Sequence, residues 1–245
     1  MKKALTRRLK RLGIHLKNAH CSPERLVKIL QKDSNNLSLE KANEICSSCY
    51  QCAEKEKVPT VTQIYGHLED CQQKNGTWVI DWVFNQSEPY LSILDRSTRF
   101  LRVIKSKCKT HAAARSILEN CIASMGTPTK IVSDQEFLGT KNNILQEFFR
   151  SENIVHKIAP RHSPHTVLVE RYHREMKRIA RKCRVDYSIA AAQLNKLPFT
   201  NLPKELNIGV PSPYELYVFN QTDKIAVLSE YSRKMFIRKK LENNY

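Results

Sequence analysis

An ionisable group sits inside the most apolar stretch of this 245-residue chain: Asp81 lies within Trp78-Val-Ile-Asp-Trp-Val-Phe84. Alternation puts Val79, Asp81 and Val83 on one face of a strand and Ile80, Trp82 and Phe84 on the other. A buried carboxylate costs free energy unless it is paired or bound to metal, so the fold must bring Asp81 a partner. Two other carboxylates have suitable contexts. Asp134 ends Ile131-Val-Ser-Asp134, at a strand's end, where α/β proteins place ligands. Glu170 opens the basic helical stretch Val169-Glu-Arg-Tyr-His-Arg-Glu-Met-Lys-Arg178, where its charge suits the helix dipole. Thirty-five residues lie between Asp134 and Glu170. Carboxylates from a strand, a strand end and a helix can converge, and three convergent carboxylates can hold two divalent metals.

The stretch around them alternates strand and helix signals. Tyr90 to Leu94 and Phe100 to Ile104 read as short strands, with Asp95 and Ser97 in a hairpin turn between them. Thr110 suits the cap of a helix running to Ile122 and ended by Gly126 and Pro128. Lys130 to Val132 and Val155 to Ile158 read as strands. Asn142 to Arg150 and Val169 to Arg184 read as helices. Periodicity alone yields an α/β class. Four segments follow: a helical region over 1–57, a polar linker over 58–74 containing Pro59, the α/β region over 75–186, and a post-core helical segment with a basic tail over 187–245.

The first segment carries a different chemistry. His15 and His20 have four residues between them, and Cys49 and Cys52 have two. Nitrogen and thiolate are preferred ligands of tetrahedral zinc, and a segment this small gains folding free energy from a metal. Cys46-Ser-Ser-Cys49 is a second Cys-x-x-Cys, and Cys21 directly follows His20, so the ligand set stays open at this point. Lys and Arg number 41 against 24 Asp and Glu, a formal net charge of +17, which predicts a polyanionic partner, nucleic acid first. No stretch reaches transmembrane length, and the basic N-terminus lacks the apolar segment of a signal peptide. An intracellular protein with thiols or metal ligands, rather than disulfides, is expected.

These motifs occur in a familiar order. Trp78-Val-Ile-Asp81, Gly126-Thr-Pro-Thr-Lys-Ile-Val-Ser-Asp-Gln135 and Val169-Glu-Arg-Tyr-His-Arg-Glu-Met-Lys177 resemble the three carboxylate segments of retroviral and gypsy-type LTR-retrotransposon integrases. Ile45-Cys-Ser-Ser-Cys-Tyr-Gln-Cys52 resembles the end of their zinc domain, and Pro211-Ser-Pro-Tyr-Glu-Leu-Tyr217 a segment after the core. The resemblance spans roughly residues 14 to 219. It implies an RNase H-like mixed five-stranded sheet flanked by helices, in the order β-β-β-α-β-α-β-α, preceded by a small helical zinc-binding domain. It favours His15, His20, Cys49 and Cys52 as zinc ligands.

The resemblance also implies a two-metal mechanism with Mg²⁺ or Mn²⁺. Asp81 and Asp134 would hold one ion and Asp81 and Glu170 the other. One would activate a water or a DNA 3′-hydroxyl and the other would stabilise the leaving oxygen. The expected reactions are trimming of a DNA end and its joining to double-stranded target DNA. Arg174, Lys177, Arg178 and Arg181 recur at three- and four-residue steps from Glu170 and place positive charge on its side of the helix. By resemblance, Arg174 and Lys177 touch the DNA end. A dimer or tetramer, a nuclear location and a chromatin partner belong to the same expectation.

Two departures define an alternative. Asp134-Gln-Glu-Phe137 lacks the family's Gly after the second Asp, and Pro164-His-Thr-Val-Leu-Val-Glu170 lacks the Asn-Gly pair before the third carboxylate. Gly permits positive φ and loop movement. Residues 220–245 are also too few for the usual terminal barrel or chromodomain. These features fit a truncated element product, or a catalytically impaired, domesticated descendant that binds DNA or chromatin.

Overall fold

The computed structural model describes residues 2–32, 36–49, 52, 73–138, 144–159, 164–199 and 211–227. The linker expected over 58–74 lies, up to Gln72, outside them, as does the basic tail beyond residue 227. The chain divides into two compact units. One comprises Met1–Thr62 with Glu175–Pro213, the other Gln63–Arg174 with Tyr214–Tyr245.

The second unit is built on one five-stranded sheet. Its strands are β1 (Thr77–Asn85), β2 (Glu88–Asp95), β3 (Leu101–Lys105), β4 (Lys130–Ser133) and β5 (Val155–Ile158), in the spatial order β3-β2-β1-β4-β5. The first three form an antiparallel meander; β4 and β5 join in parallel on the other side of β1. The expected mixed sheet, and the element order, are what the chain adopts.

The turn between β2 and β3 shows why the strands end where they do. The buried Asp95 side chain accepts hydrogen bonds from the Thr98 amide and hydroxyl at 2.8 Å each, and from the Asn75 amide at 2.8 Å. Burial still pushes its carboxyl above the ordinary range.

A helix at His111–Met125 crosses between β3 and β4. Thr110 caps it, accepting from the Ala113 amide, and Gly126, at φ 90°, closes it. That positive φ suits glycine. A Cβ there would also stand 3.0 Å from the side-chain Nδ2 of Asn75. Trp78, Ile80 and Trp82 on one face of β1 join Leu118, Cys121, Phe137, Leu145 and Phe149 in the main apolar core. Asp81 projects from the opposite face, between Val79 and Val83.

The first unit contains α1 (Lys2–Lys17), α2 (Pro23–Lys32) and α3 (Leu39–Ser47). Taking the His111–Met125 helix as α4, the remaining helices are α5 (Ile144–Ser151), α6 (Pro164–Cys183), α7 (Tyr187–Lys196) and α8 (Pro213–Val218). Leu26, Leu30, Ala42 and Ile45 are buried in the first unit, as are Ile179 and Leu194 from the chain's later segment. None of the described helices is long and apolar enough to cross a membrane.

One local expectation needs correction. The long helix starts at Pro164, not at Val169, so Glu170 lies in its second turn and not at its N-terminus. Proline is well suited to a first helical position, because its missing N–H would be unpaired there anyway. The helix dipole at its very end is therefore not what accommodates the Glu170 charge.

Candidate metal centre and active site

His15, His20, Cys49 and Cys52 bring one ligand atom each to within 4.8 Å of one another. His15 comes from the last turn of α1. Ala19 and His20 then adopt positive φ, 56° and 51°, which turns the chain back on itself. Cys49 and Cys52 follow α3. Cys49 Sγ lies 3.2 Å from His20 Nδ1, and Cys52 Sγ lies 3.4 Å from His15 Nε2 and 3.7 Å from His20 Nδ1. Zinc bonded at about 2.3 Å to sulfur and about 2.0 Å to nitrogen sets the edges of its tetrahedron at roughly 3.3 to 3.8 Å. The four side chains fit that ion.

The geometry resolves the extra cysteines. Cys46 Sγ lies 3.5 Å from His15 Nδ1, the nitrogen turned away from Cys52, and 3.8 Å from the Cys21 carbonyl. It stands behind His15 and does not join the four. Burial pushes the Cys46 and Cys21 thiols up to about 12 and raises the Cys52 thiol too, so position and not titration separates the set. Burial, with His20 beside it, lowers His15 to about 4 and keeps the imidazole neutral, the form that binds metal. Lys182 Nζ lies 3.8 Å from Cys52 Sγ, a cation suited to a thiolate.

The carboxylates lie in the other unit. Asp81 is 27% exposed at its side chain, and burial, then Asp134, Glu136 and Glu170, raise its pKa to about 7. Asp134 is raised by burial and by Glu136. All three predicted residues are thus within electrostatic reach of one site. They are not drawn as close as the His/Cys set, which is the one group among the described residues with donor atoms all within 4.8 Å. The oxygen-only donor set suits Mg²⁺ or Mn²⁺, and the mutual repulsion at Asp81 is what a divalent cation would relieve.

Three neighbours of the site escaped the sequence reading. His173 Nδ1 is 3.7 Å from Asp81 Oδ2, and its Nε2 is 2.7 Å from Ser92 Oγ, which donates to the Asp81 carbonyl at 2.8 Å. His173 lies three residues after Glu170, a spacing that could have flagged it. Ser92 carried no signal; only its register opposite Asp81 brings it in.

Glu136 is the third neighbour, and it reshapes the loop that lacks glycine. Its amide donates to Asp134 Oδ1 at 3.1 Å, its carboxylate pairs with Lys109 at 2.5 Å, and its carbonyl contacts His111 Nε2 at 2.9 Å. The next residue, Phe137, is fully buried and stacks on Trp82.

Of the basic residues, Arg174, Lys177 and Arg181 are exposed and align with the exposed Glu170 along α6. Arg178 leaves that line. It is half-buried and bonds the Glu175 carboxylate at 3.1 Å, as Arg25 does at 3.7 Å.

Solved structures share this architecture. A chain of the simian T-cell lymphotropic virus intasome, solved with PP2A regulatory subunit B56 gamma, superposes with a TM-score of 0.59 and 18% identity over 85% of this chain and 72% of its own. The fold is that of a retroviral integrase. The catalytic core domain of BIV integrase matches at a TM-score of 0.48 and 18% identity, over 61% of this chain and 98% of that one. No protein-family model and no curated protein matches the sequence.

Proposed function

We propose that this chain is an integrase-like polynucleotidyl transferase that processes DNA 3′ ends and joins them to target DNA, with Asp81, Asp134 and Glu170 as its catalytic carboxylates. The observation that carries this reading is Asp81, a carboxyl placed mid-strand, mostly buried, and raised to about 7 by burial and its acidic neighbours. Such an arrangement weakens a fold, and proteins keep it where chemistry needs it. Bound Mg²⁺ or Mn²⁺ would supply Lewis-acid activation of a phosphodiester and its nucleophile. The chain's own part is to aim three carboxylates at one point. His15, His20, Cys49 and Cys52 would hold structural zinc. Work on DNA in the nucleus by a dimer or tetramer completes the reading, as the intasome relative suggests.

A second reading has one specific observation behind it. Asp134 Oδ1 is already engaged by the Glu136 amide, and Lys109 and His111 hold that loop. A site latched in this way fits a domesticated DNA- or chromatin-binding descendant. The deciding experiment is a metal-dependent joining and disintegration assay on a branched DNA substrate, with Glu170→Gln as control. Product that requires Mn²⁺ or Mg²⁺ and vanishes in the control supports the enzyme. Folded, zinc-loaded protein that binds DNA and yields no product supports the second reading.

DNA contact can be tested separately. Each phosphate contact contributes roughly 0.9 to the slope of log affinity against log salt. Arg174→Ala, Lys177→Ala and Arg181→Ala are each expected to lower that slope by about one. Arg178→Ala is expected to leave the slope unchanged and to lower thermal stability, because its charge is spent on Glu175. Equal slopes in all four variants and the parent would remove α6 from the DNA interface.

A further inference from the structure

A chain of hydrogen bonds runs from α5 through β5 to the backbone of Asp134. Gln146 Nε2 lies 2.6 Å from His156 Nδ1, His156 Nε2 lies 2.8 Å from Ser133 Oγ, and Ser133 Oγ donates to the Asp134 carbonyl at 3.1 Å. With the Gln146 amide nitrogen facing the ring, the chain has one consistent direction. A glutamine amide nitrogen only donates, so His156 Nδ1 accepts. The Ser133 hydroxyl spends its one proton on Asp134, so it accepts from His156 Nε2–H. A single neutral tautomer satisfies every bond.

Packing does not require this. The His156 ring lies 4.8 Å from the Phe149 ring, and an apolar residue would serve that contact. A part-buried polar relay is costly unless every member is satisfied, and a satisfied one imposes a unique local geometry. Here the imposed geometry is that of the first residue after β4. Ser133 is itself 1% exposed, and the amide of Ala159, just after β5, donates to its carbonyl at 2.7 Å, so the peptides on both sides of the Asp134 Cα are held. Asp134 stands at φ −75° and ψ −179°. Its carboxylate accepts from the Glu136 amide, and its aim depends on how firmly those two dihedrals are held.

We propose that His156, oriented by Gln146 and acting through Ser133, is a positioning residue that aims the Asp134 carboxylate into the site. The proposal rests on the catalytic reading for its effect on rate, but its effect on Asp134 stands apart from that reading. His156 never touches the reacting atoms. Burial lowers its pKa to about 4, so the relay keeps one tautomer throughout the neutral range.

The test uses the full-length chain. Ser133→Ala deletes the one atom that transmits the relay. His156→Phe keeps the ring stacked near Phe149 and removes both nitrogens. A positioning role is expected to appear in three measurements. The Glu136 amide, which donates to Asp134 Oδ1, exchanges its hydrogen about tenfold faster in both variants at unchanged global stability. Mn²⁺ titrated alone binds about 10- to 100-fold more weakly, the usual effect of losing an outer-sphere partner. In the joining assay kcat falls and the KM for DNA does not, and Ser133→Thr, which restores the hydroxyl, restores kcat. Should His156→Phe fail to fold, Ser133→Ala and Ser133→Thr decide alone. Should the parent protein join no DNA, the catalytic reading fails and amide exchange still decides the relay. Unchanged Glu136 exchange in folded Ser133→Ala overturns the proposal, as does a loss that Ser133→Thr cannot reverse.

Discussion

Asp81→Asn is expected to abolish metal-dependent strand joining and, at the same time, to stabilise the metal-free protein above neutral pH. Both effects have one cause. Asp81 is the carboxylate that would serve both metal positions, so its loss removes several kcal/mol of transition-state stabilisation. At about 1.36 kcal/mol per decade, a rate loss of at least about a thousandfold follows.

The stability effect has the opposite sign. Burial first, then Asp134, Glu136 and Glu170, raise the carboxyl from 3.8 to about 7. Between those values the folded state binds more protons than the unfolded one, so the protein loses stability as pH rises. The contribution is fully present below pH 3.8 and gone once pH has passed about 7. At roughly 1.4 kcal/mol per unit the effect has a ceiling near 4 kcal/mol. Solvent reaching a side chain that is 27% exposed reduces it. In chelator, thermal melts of the parent and Asp81→Asn should coincide near pH 4 and separate towards pH 8, with the variant the more stable. A variant that joins DNA, or one no more stable at pH 8, would remove Asp81 from the metal site.

Cys49→Ser is expected to cost the first unit its fold. Its sulfur and His20 Nδ1, 3.2 Å apart, would form one edge of a bound zinc ion's tetrahedron. Structural zinc contributes about 10–16 kcal/mol in small finger peptides, comparable to or above the whole stability of a typical domain, about 5–15 kcal/mol. Zinc content should fall from one ion per chain towards none, with loss of helical circular dichroism and of cooperative melting. Cys46→Ser is the control. Cys46 faces the outer nitrogen of His15, so that variant should keep its zinc, with affinity reduced less than tenfold. If both variants lose the metal equally, the ligand set drawn from the geometry is wrong.

Much of this site was legible before any coordinates. Asp81 announced itself by standing in an apolar strand, where burial makes an ionisable group expensive. The His and Cys pairs did so by spacing, since zinc accepts few ligand types. The Thr110 cap and the Gly126 stop could be read because capping depends on neighbours within one turn. What failed was longer in range. The start of α6 was placed five residues late, at Val169 and not at Pro164. Arg178 was grouped with the DNA-facing residues because a three- or four-residue step from Glu170 allows it; its ion pair with Glu175 was beyond what spacing shows, and the salt slope decides its part in DNA contact.

The sequence by itself determined the chemistry available to this protein: candidate zinc ligands among His15, His20 and the nearby cysteines, three candidate carboxylates, and the order of strands and helices that carries them. Those properties are local, encoded in side-chain type, short spacing and periodicity. Only the tertiary structure decided that Cys21 and Cys46 stand outside the His/Cys cluster, that Ser92 and His173 meet at Asp81, that Lys109 and His111 hold the Glu136 loop, and that Gln146 reaches Asp134 through His156. Each of these depends on register between strands or on the packing of a helix against a sheet. A residue's identity does not reveal its neighbour across a sheet; that neighbour is set by the whole chain's burial of its apolar faces.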